Sequence, residues 1–554
     1  MNYSHNDSEK WGDTLESIRI QKLRSLVDTG EIELAPLTVL VGQNSVGKST
    51  FLRMFPLFQQ SMKMSRSEPL LWYSPELVDF GNFNESINKK TTEDSIDFNF
   101  KFKISMIEFE KELRFRNRGI DKNLLERLFS EESQQVEIAI MLKVKSKFIS
   151  NVKFTVFDYE YNIELTKEGK LVQLFINGES FPTNNLYSSN YASREIIPTI
   201  SVEKKARTSF TRYSTKIEIQ DEANREMIKT LAKIRNARIS DKRLLDLIGM
   251  LKVDYKDEFK TQFNREFTEI ATIKKLMNNL DPDEIKELIE RMYILNGYKY
   301  INVILDVVNN YLFDFFENIQ YIAPIRASAQ RYYRIQGLSI DDITPQGENI
   351  PMLLWNMKQA NLAHYNEWRE WTKSNFNVEF IIHESEANLS MKLIKNGEEI
   401  NLADTGFGFS QILPILLYVW RIKNSKKRKI SESVYFGKVS SNSKTLVIEQ
   451  PELHLHPAMQ AKLMDMFMEI ISVLNKGNFK LKIIMETHSE TMINRIGHNI
   501  ALNTSSLDPN QVNIYIFSED KNKNISIEKS NFTKDGYLEN WPIGFFIPEI
   551  EGED

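Results

Sequence analysis

The chain has 554 residues, 41% of them apolar and 27% charged, with a net charge of -5 and no cysteine. Its length exceeds what one hydrophobic core serves, so two or more substructures are expected. Without cysteine there are no disulfides, thiolate zinc sites, iron–sulfur ligands or thiol nucleophiles, and the acidic balance restricts any grip on nucleic acid to a local patch.

The polar N-terminus carries no secretory signal, and no run reaches the roughly 18–20 apolar residues that span a bilayer, so a cytoplasmic protein without membrane contact is expected. Short strands are expected at Ile18–Ile20 and Ile32–Leu34. Leu37–Val41 is a continuous apolar run, as in a strand buried on both faces, and it leads directly into Gly42. A helix is expected to follow, with Pro56 near the end of its first turns. Period-two alternation then takes over through Ile96, Phe98, Phe100, Phe102 and Ile104, through Val136–Val144, and through Val152, Phe154 and Val156. It predicts an antiparallel sheet, with Asn177-Gly178 as a turn. From about 217 to 316 the pattern becomes helical, with Met227, Leu231 and Ile234 on one face. Asp281-Pro282 reads as a helix start and Asn296-Gly297 as its end. Strands return at Ile319–Ile322 and Val378–Ile382, and a hairpin is expected at Asn396-Gly397. Lys426-Lys427-Arg428-Lys429 is the most basic cluster, a solvated loop or a phosphate contact.

Four segments carry chemistry. Gly42-Gln43-Asn44-Ser45-Val46-Gly47-Lys48-Ser49-Thr50 is a full G-x-x-x-x-G-K-S/T match. Its glycines let the loop turn its amide hydrogens onto a β-phosphate, and the helix adds its positive end. Lys48 suits the β- and γ-phosphates, and the Ser49 hydroxyl suits Mg²⁺, so ATP and Mg²⁺ are the expected ligands. Thr445–Glu452 is a strand ending in a carboxylate, which would place Glu449 where it holds Mg²⁺ through water. The neighbouring His454 and His456 lack the company a transition metal needs. Asp404–Gln411, with Gly406, Gly408, Ser410 and Gln411, opens a helix over Ile412–Trp420 as a second anion-binding end. Ile483–Ser489 is a buried strand ending at Thr487-His488, and His488 is expected to contact the γ-phosphate.

In this order the segments resemble the ABC/SMC-like P-loop ATPases, in the branch that includes OLD-type and RecF-like heads. The resemblance covers roughly residues 15–85 and 317–500. The wording GQNSVGKST, TGFGFSQILPIL, VIEQPELHLHP and METHSE is most similar to the PtuA family, ATPase subunits of Septu-type anti-phage systems, some of them beside retrons. The resemblance implies an α/β fold: a mixed-sheet ATPase head with flanking helices and an antiparallel β subdomain, interrupted by an inserted helical arm. The implied parts are 1–95 and 317–500 for the head, 96–216 for the β subdomain, 217–316 for the arm and 501–554 for a C-terminal extension. The ending Asn540–Phe546 is similar to that branch's, either a final aromatic plug or a docking element.

The resemblance also implies a homodimer or higher oligomer. ATP on Gly42, Lys48 and Ser49 of one copy would be closed over by Gly406, Gly408 and Ser410 of another. Further implied partners are an HNH-type nuclease subunit, a reverse transcriptase with its DNA product, and nucleic acid as the final target. One departure stands out: many relatives carry glutamate directly after the Walker acid, and here that position is Gln450. Either Glu452 activates water, or turnover is slow and the bound state is the signal. The stretch after His488 is too short for an appended Toprim domain, so no nuclease activity is expected in this chain. Two other readings stay open: a DNA-repair ATPase that clamps DNA directly, and a scaffold that binds ATP with little turnover.

Overall fold

A computed structural model describes residues 14–542 apart from 106–134, 185, 189–190, 192–193, 203–208, 338–341, 426–442, 477–478, 505–506 and 521–524. The basic cluster 426–429 and the ending 543–546 therefore lie outside the described residues. The chain divides into two compact units, one formed by Arg24–Gln60, Trp72–Asn82 and Phe315–Asp554, the other by Met1–Leu23, Ser61–Leu71 and Phe83–Asp314. Among the described residues no helix is long and apolar enough to cross a membrane.

The first unit is built on a six-stranded sheet. Its strands are β1 (Leu37–Gly42), β2 (Ile319–Ile322), β3 (Ser443–Glu449), β4 (Lys480–Glu486), β5 (Val512–Glu519) and β6 (Ile525–Ser530), in the spatial order β2-β3-β4-β1-β5-β6. The first five run parallel and β6 closes the edge antiparallel. All six residues of β1 are buried, as its unbroken apolar run requires. Along each central strand alternate residues (Val39 and Val41, Leu446 and Ile448, Ile483 and Met485) join one core. That core also takes in Leu416 and Trp420 of α2 (Phe407–Ser425), Phe467 and Ile471 of α3 (Pro457–Asn475), and Ile493 and Ile496 of α4 (Glu490–Ala501). The helix after the P-loop, α1 (Lys48–Lys63), does not stop at Pro56. Phe51, Leu52, Phe55 and Phe58 are fully buried, and that burial outweighs the one backbone hydrogen bond proline removes.

The described part of 501–554, expected as a C-terminal extension, belongs to the head. β5 lies beside β1 with Phe517 opposite Gly42, so this stretch supplies a central strand of the head. The hairpin at Asn396-Gly397 forms as expected, both residues at positive φ (52° and 85°), in a smaller antiparallel sheet.

The second unit is an antiparallel meander in chain order, Ile96–Ser105, Gln135–Val144, Ile149–Val156, Tyr159–Leu165, Leu171–Ile176 and Glu179–Ser180. Thr14–Leu23, expected in the head, instead extends this sheet, with Ile18 opposite Phe100 and Ile20 opposite Phe98. The helices expected to form a separate arm belong to the same unit as the sheet. The reason is aromatic packing: Tyr293 stacks on Tyr159 with ring centroids 4.1 Å apart, and Phe181 on Tyr298 at 4.4 Å. Asn296-Gly297 does not end its helix, which runs unbroken from Pro282 to Glu317. Gly297 is there for close approach, since a Cβ would sit 2.6 Å from the Tyr159 ring.

Candidate functional site

The parallel strands β1, β3 and β4 end together, bringing Gly42, Glu449 and Glu486 to one edge of the sheet. Gly42 sits at φ +145° with its Cα against the Phe517 carbonyl, and any Cβ would fall 2.1 Å from that oxygen. Gly47, at φ +96°, is likewise closed to a side chain by Leu26. Both glycines of the motif are thus fixed by backbone conformation and crowding together. Ser45 adds a left-handed turn at φ 66°.

The loop and the start of α1 enclose a pocket of about 260 Å³, lined among others by Asn44, Lys48, Ser49, Thr50, Gln450 and Glu486. Lys48 is 2% exposed, and its Nζ donates to the carbonyls of Gly42 (3.1 Å) and Gln43 (2.5 Å). Burial pulls its pKa down, against the upward pull of Glu486 at 3.7 Å. The Ser49 hydroxyl donates to Glu486 Oε2 at 2.7 Å. A buried ammonium at a loop of glycines, with a hydroxyl and a carboxylate beside it, fits a polyphosphate and a hard divalent cation.

The expected metal carboxylate is held elsewhere. Glu449, 1% exposed, accepts from Arg53 Nε (2.8 Å), Arg53 Nη2 (2.9 Å) and the Tyr321 phenol (2.6 Å). Burial raises its pKa and Arg53 opposes that rise. Glu486 is the carboxylate on the pocket. Burial would raise its pKa, but the nearby His488 imidazole, the hydrogen bond from Ser49 and the charge of Lys48 hold it below the usual value.

Gln450 reaches the pocket from a left-handed turn (φ 44°), its N–H donating to the Glu486 carbonyl at 2.9 Å. Glu452 accepts from the His488 backbone N–H at 2.7 Å, while its Oε2 is buried with no protein partner. Burial pushes its pKa up. The His488 imidazole lies 3.8 Å from Glu486 Oε1, alongside the P-loop network. His456 caps α3, its Nδ1 accepting from the Ala458 N–H.

The glycine-serine segment is organised differently. Gly406 (φ +76°) has open space where a Cβ would be, and Phe407 is 59% exposed. Gly408 packs on the His454 carbonyl, where a Cβ would be 2.9 Å away. The Ser410 hydroxyl donates to the Phe407 carbonyl. Gln411 is 4% exposed and exchanges two hydrogen bonds with the Arg326 backbone. Within this chain Gln411 is therefore a structural clamp. Arg326, 2% exposed, donates to the Glu449 carbonyl at 2.9 Å, tying the α2 start to the turn after β3.

Sequence reading missed Arg53, Tyr321, Arg326 and Glu486. Signals for two were present: Arg53 is four residues beyond Ser49 on the same helix, and Glu486 ends an apolar strand just as Glu449 does.

A sequence-family profile described as AAA ATPase domain matches residues 14–493. No curated protein matches the chain. Similar solved structures include an SMC head bound to the C-terminal winged-helix domain of ScpA (10% identity, 93% of this chain and 97% of that one, TM-score 0.31). Others are an SMC head domain from Thermotoga maritima (8%, 93% and 98%, TM-score 0.30) and the recombination mediator RecF (11%, 93% and 98%, TM-score 0.26). Likeness at this level assigns no substrate or partner.

Proposed function

The chain belongs to the AAA ATPase domain family, and from that premise we propose that it binds and slowly hydrolyses Mg-ATP as the switch subunit of an anti-phage defence complex. The observation that carries the nucleotide reading is Lys48, buried on the loop carbonyls beside Ser49 and Glu486. On this reading Gly42, Asn44, Gly47, Lys48, Ser49 and Thr50 hold the phosphates. A second copy closes the site with its segment 406–410. The exposed Phe407 and the open side of Gly406 support that, because among the described residues nothing covers Gly406 and Phe407 remains 59% exposed. ATP then joins two heads, and the joined state holds and gates a separate nuclease in the cytoplasm. The Septu-like wording of the motifs supports the defence role, the HNH-type nuclease and an accompanying reverse transcriptase.

Slow turnover follows from Gln450, whose amide cannot take a proton from water, at the pocket position many relatives give to glutamate. Glu452, with its unpartnered oxygen beside His488, is the base in this proposal. Glu452→Gln should abolish the remaining Mg-dependent turnover measured by phosphate release; brisk turnover in that variant would refute the assignment. A native pull-down with mass spectrometry and nucleic-acid extraction tests the complex. Co-purification of a nuclease supports it, and direct, salt-sensitive, ATP-dependent DNA binding by the isolated chain would favour a DNA-clamping ATPase instead.

A further inference from the structure

Two carboxylates end neighbouring parallel strands, Glu449 and Glu486 being register partners across β3 and β4. Two residues of α1 one turn apart, Ser49 and Arg53, meet them, since an i,i+4 pair lies on one side of a helix. The two meetings differ in kind. Arg53 closes on Glu449 with two parallel hydrogen bonds, and Tyr321 supplies a third. That carboxylate is neutralised inside the protein and does not line the phosphate pocket. Glu486 does line it, and it is held by a serine hydroxyl, with Lys48 at 3.7 Å and His488 at 3.8 Å.

We propose that Glu486, and not Glu449, is the carboxylate this chain turns toward the divalent cation of bound Mg-ATP, with the Ser49 hydroxyl beside it. Glu449 is a positioning residue that fixes α1 to the sheet through Arg53. This inference rests on the pocket being the Mg-ATP site. Magnesium takes oxygen ligands at about 2.0–2.1 Å in an octahedron, so adjacent ligands stand about 2.9 Å apart. The Ser49 and Glu486 oxygens stand 2.7 Å apart, so a small outward adjustment suits them as neighbours around, or through water to, one cation. To do the same, the buried Glu449 would have to abandon the half-buried Arg53 guanidinium and its two parallel hydrogen bonds. The arrangement also has a sign. Without the cation, a carboxylate beside Lys48 repels incoming phosphate; with it, the carboxylate attracts the complex.

The test titrates Mg²⁺ against binding of a fluorescent ATP analogue to the full-length protein, with a parallel series in EDTA and Mn²⁺ resonance to detect the bound metal. Glu486→Gln should raise the half-saturating Mg²⁺ concentration by about tenfold or more, lose the bound Mn²⁺ signal and leave metal-free nucleotide affinity equal or tighter. Glu486→Asp should recover part of the metal dependence, and it carries the test if the glutamine variant fails to fold. Glu449→Gln should keep the wild-type Mg²⁺ requirement and lower the melting temperature. A raised Mg²⁺ requirement in Glu449→Gln with none in either Glu486 variant would overturn the assignment while leaving the ATP site intact. Failure of the wild type to bind nucleotide at any metal concentration would remove the ATP reading itself, and this one with it.

Discussion

The P-loop end and the segment at 406–411 are both glycine-bearing turns opening a helix, yet the chain finishes one and leaves the other open. At the P-loop three polar side chains have partners from the same unit: Lys48 on two carbonyls, Ser49 on Glu486, Arg53 on Glu449. At the second turn Gln411 is tied to Arg326 and Gly408 packs against His454, while Gly406 has open space beside it and Phe407, its ring meeting His454, stays largely exposed. A helix N-terminus suits a phosphate when a glycine loop turns its amides, and a lysine its charge, onto the same point. On the function proposed above, the second turn is the surface that a second copy covers.

The sharpest break in this contrast would come from Lys48→Ala. Truncating one partner of a buried charged pair costs about 2–5 kcal/mol, or roughly thirtyfold to several thousandfold in ATP affinity by calorimetry. Undiminished affinity would mean that the P-loop end is no more complete than the other. Next comes Arg53→Ala, which leaves the buried Glu449 carboxylate with the Tyr321 phenol alone and should lower unfolding free energy by about 1–3 kcal/mol in denaturant titrations. A loss below about 1 kcal/mol, as for a surface pair, would show that the clamp does not stiffen this end.

A smaller effect is expected from acid. The pKa of Glu486 is lowered in the folded protein, so its contribution is complete above the unfolded value of about 4.3 and is lost as pH falls through the folded one. Comparing wild type with Glu486→Gln between neutral pH and about pH 3 should reveal a stability gap that narrows with acidification; a gap that widens has the wrong sign. The smallest effect on the fold belongs to Phe407→Asp at the open turn. Its unfolding free energy should stay within about 0.5 kcal/mol, and its nucleotide affinity as a monomer should be unchanged. ATP-dependent dimerisation, followed by light scattering, should be lost. Dimers that persist would show that the contact between copies lies elsewhere.

The glycine motif was legible because it states a backbone requirement. Positive φ at Gly47 and the crowded approach at Gly42 leave no alternative residue, and an apolar run such as Leu37–Val41 can only be buried. Turns announced by Asn-Gly formed where expected, at Asn177-Gly178 and Asn396-Gly397. Local signals failed where packing overrode them. Asn296-Gly297 reads as a helix stop, but Gly297 makes room for Tyr159, and Pro56 sits inside a helix held by four buried aromatic and aliphatic side chains.

What the sequence determined by itself was the phosphate-binding turn, the class of fold around it and the missing carboxylate at Gln450, all written in residues that are neighbours in the chain. Which acid meets Ser49 was decided only in three dimensions. The two residues are 437 positions apart, and the pairing of β3, β4 and β1 fixes which strand end faces which turn of α1. The same holds for β5, which enters beside β1 from a stretch with no signature of its own. Strand order is set by the burial of whole faces, a property of the assembled sheet that no local run of residues contains.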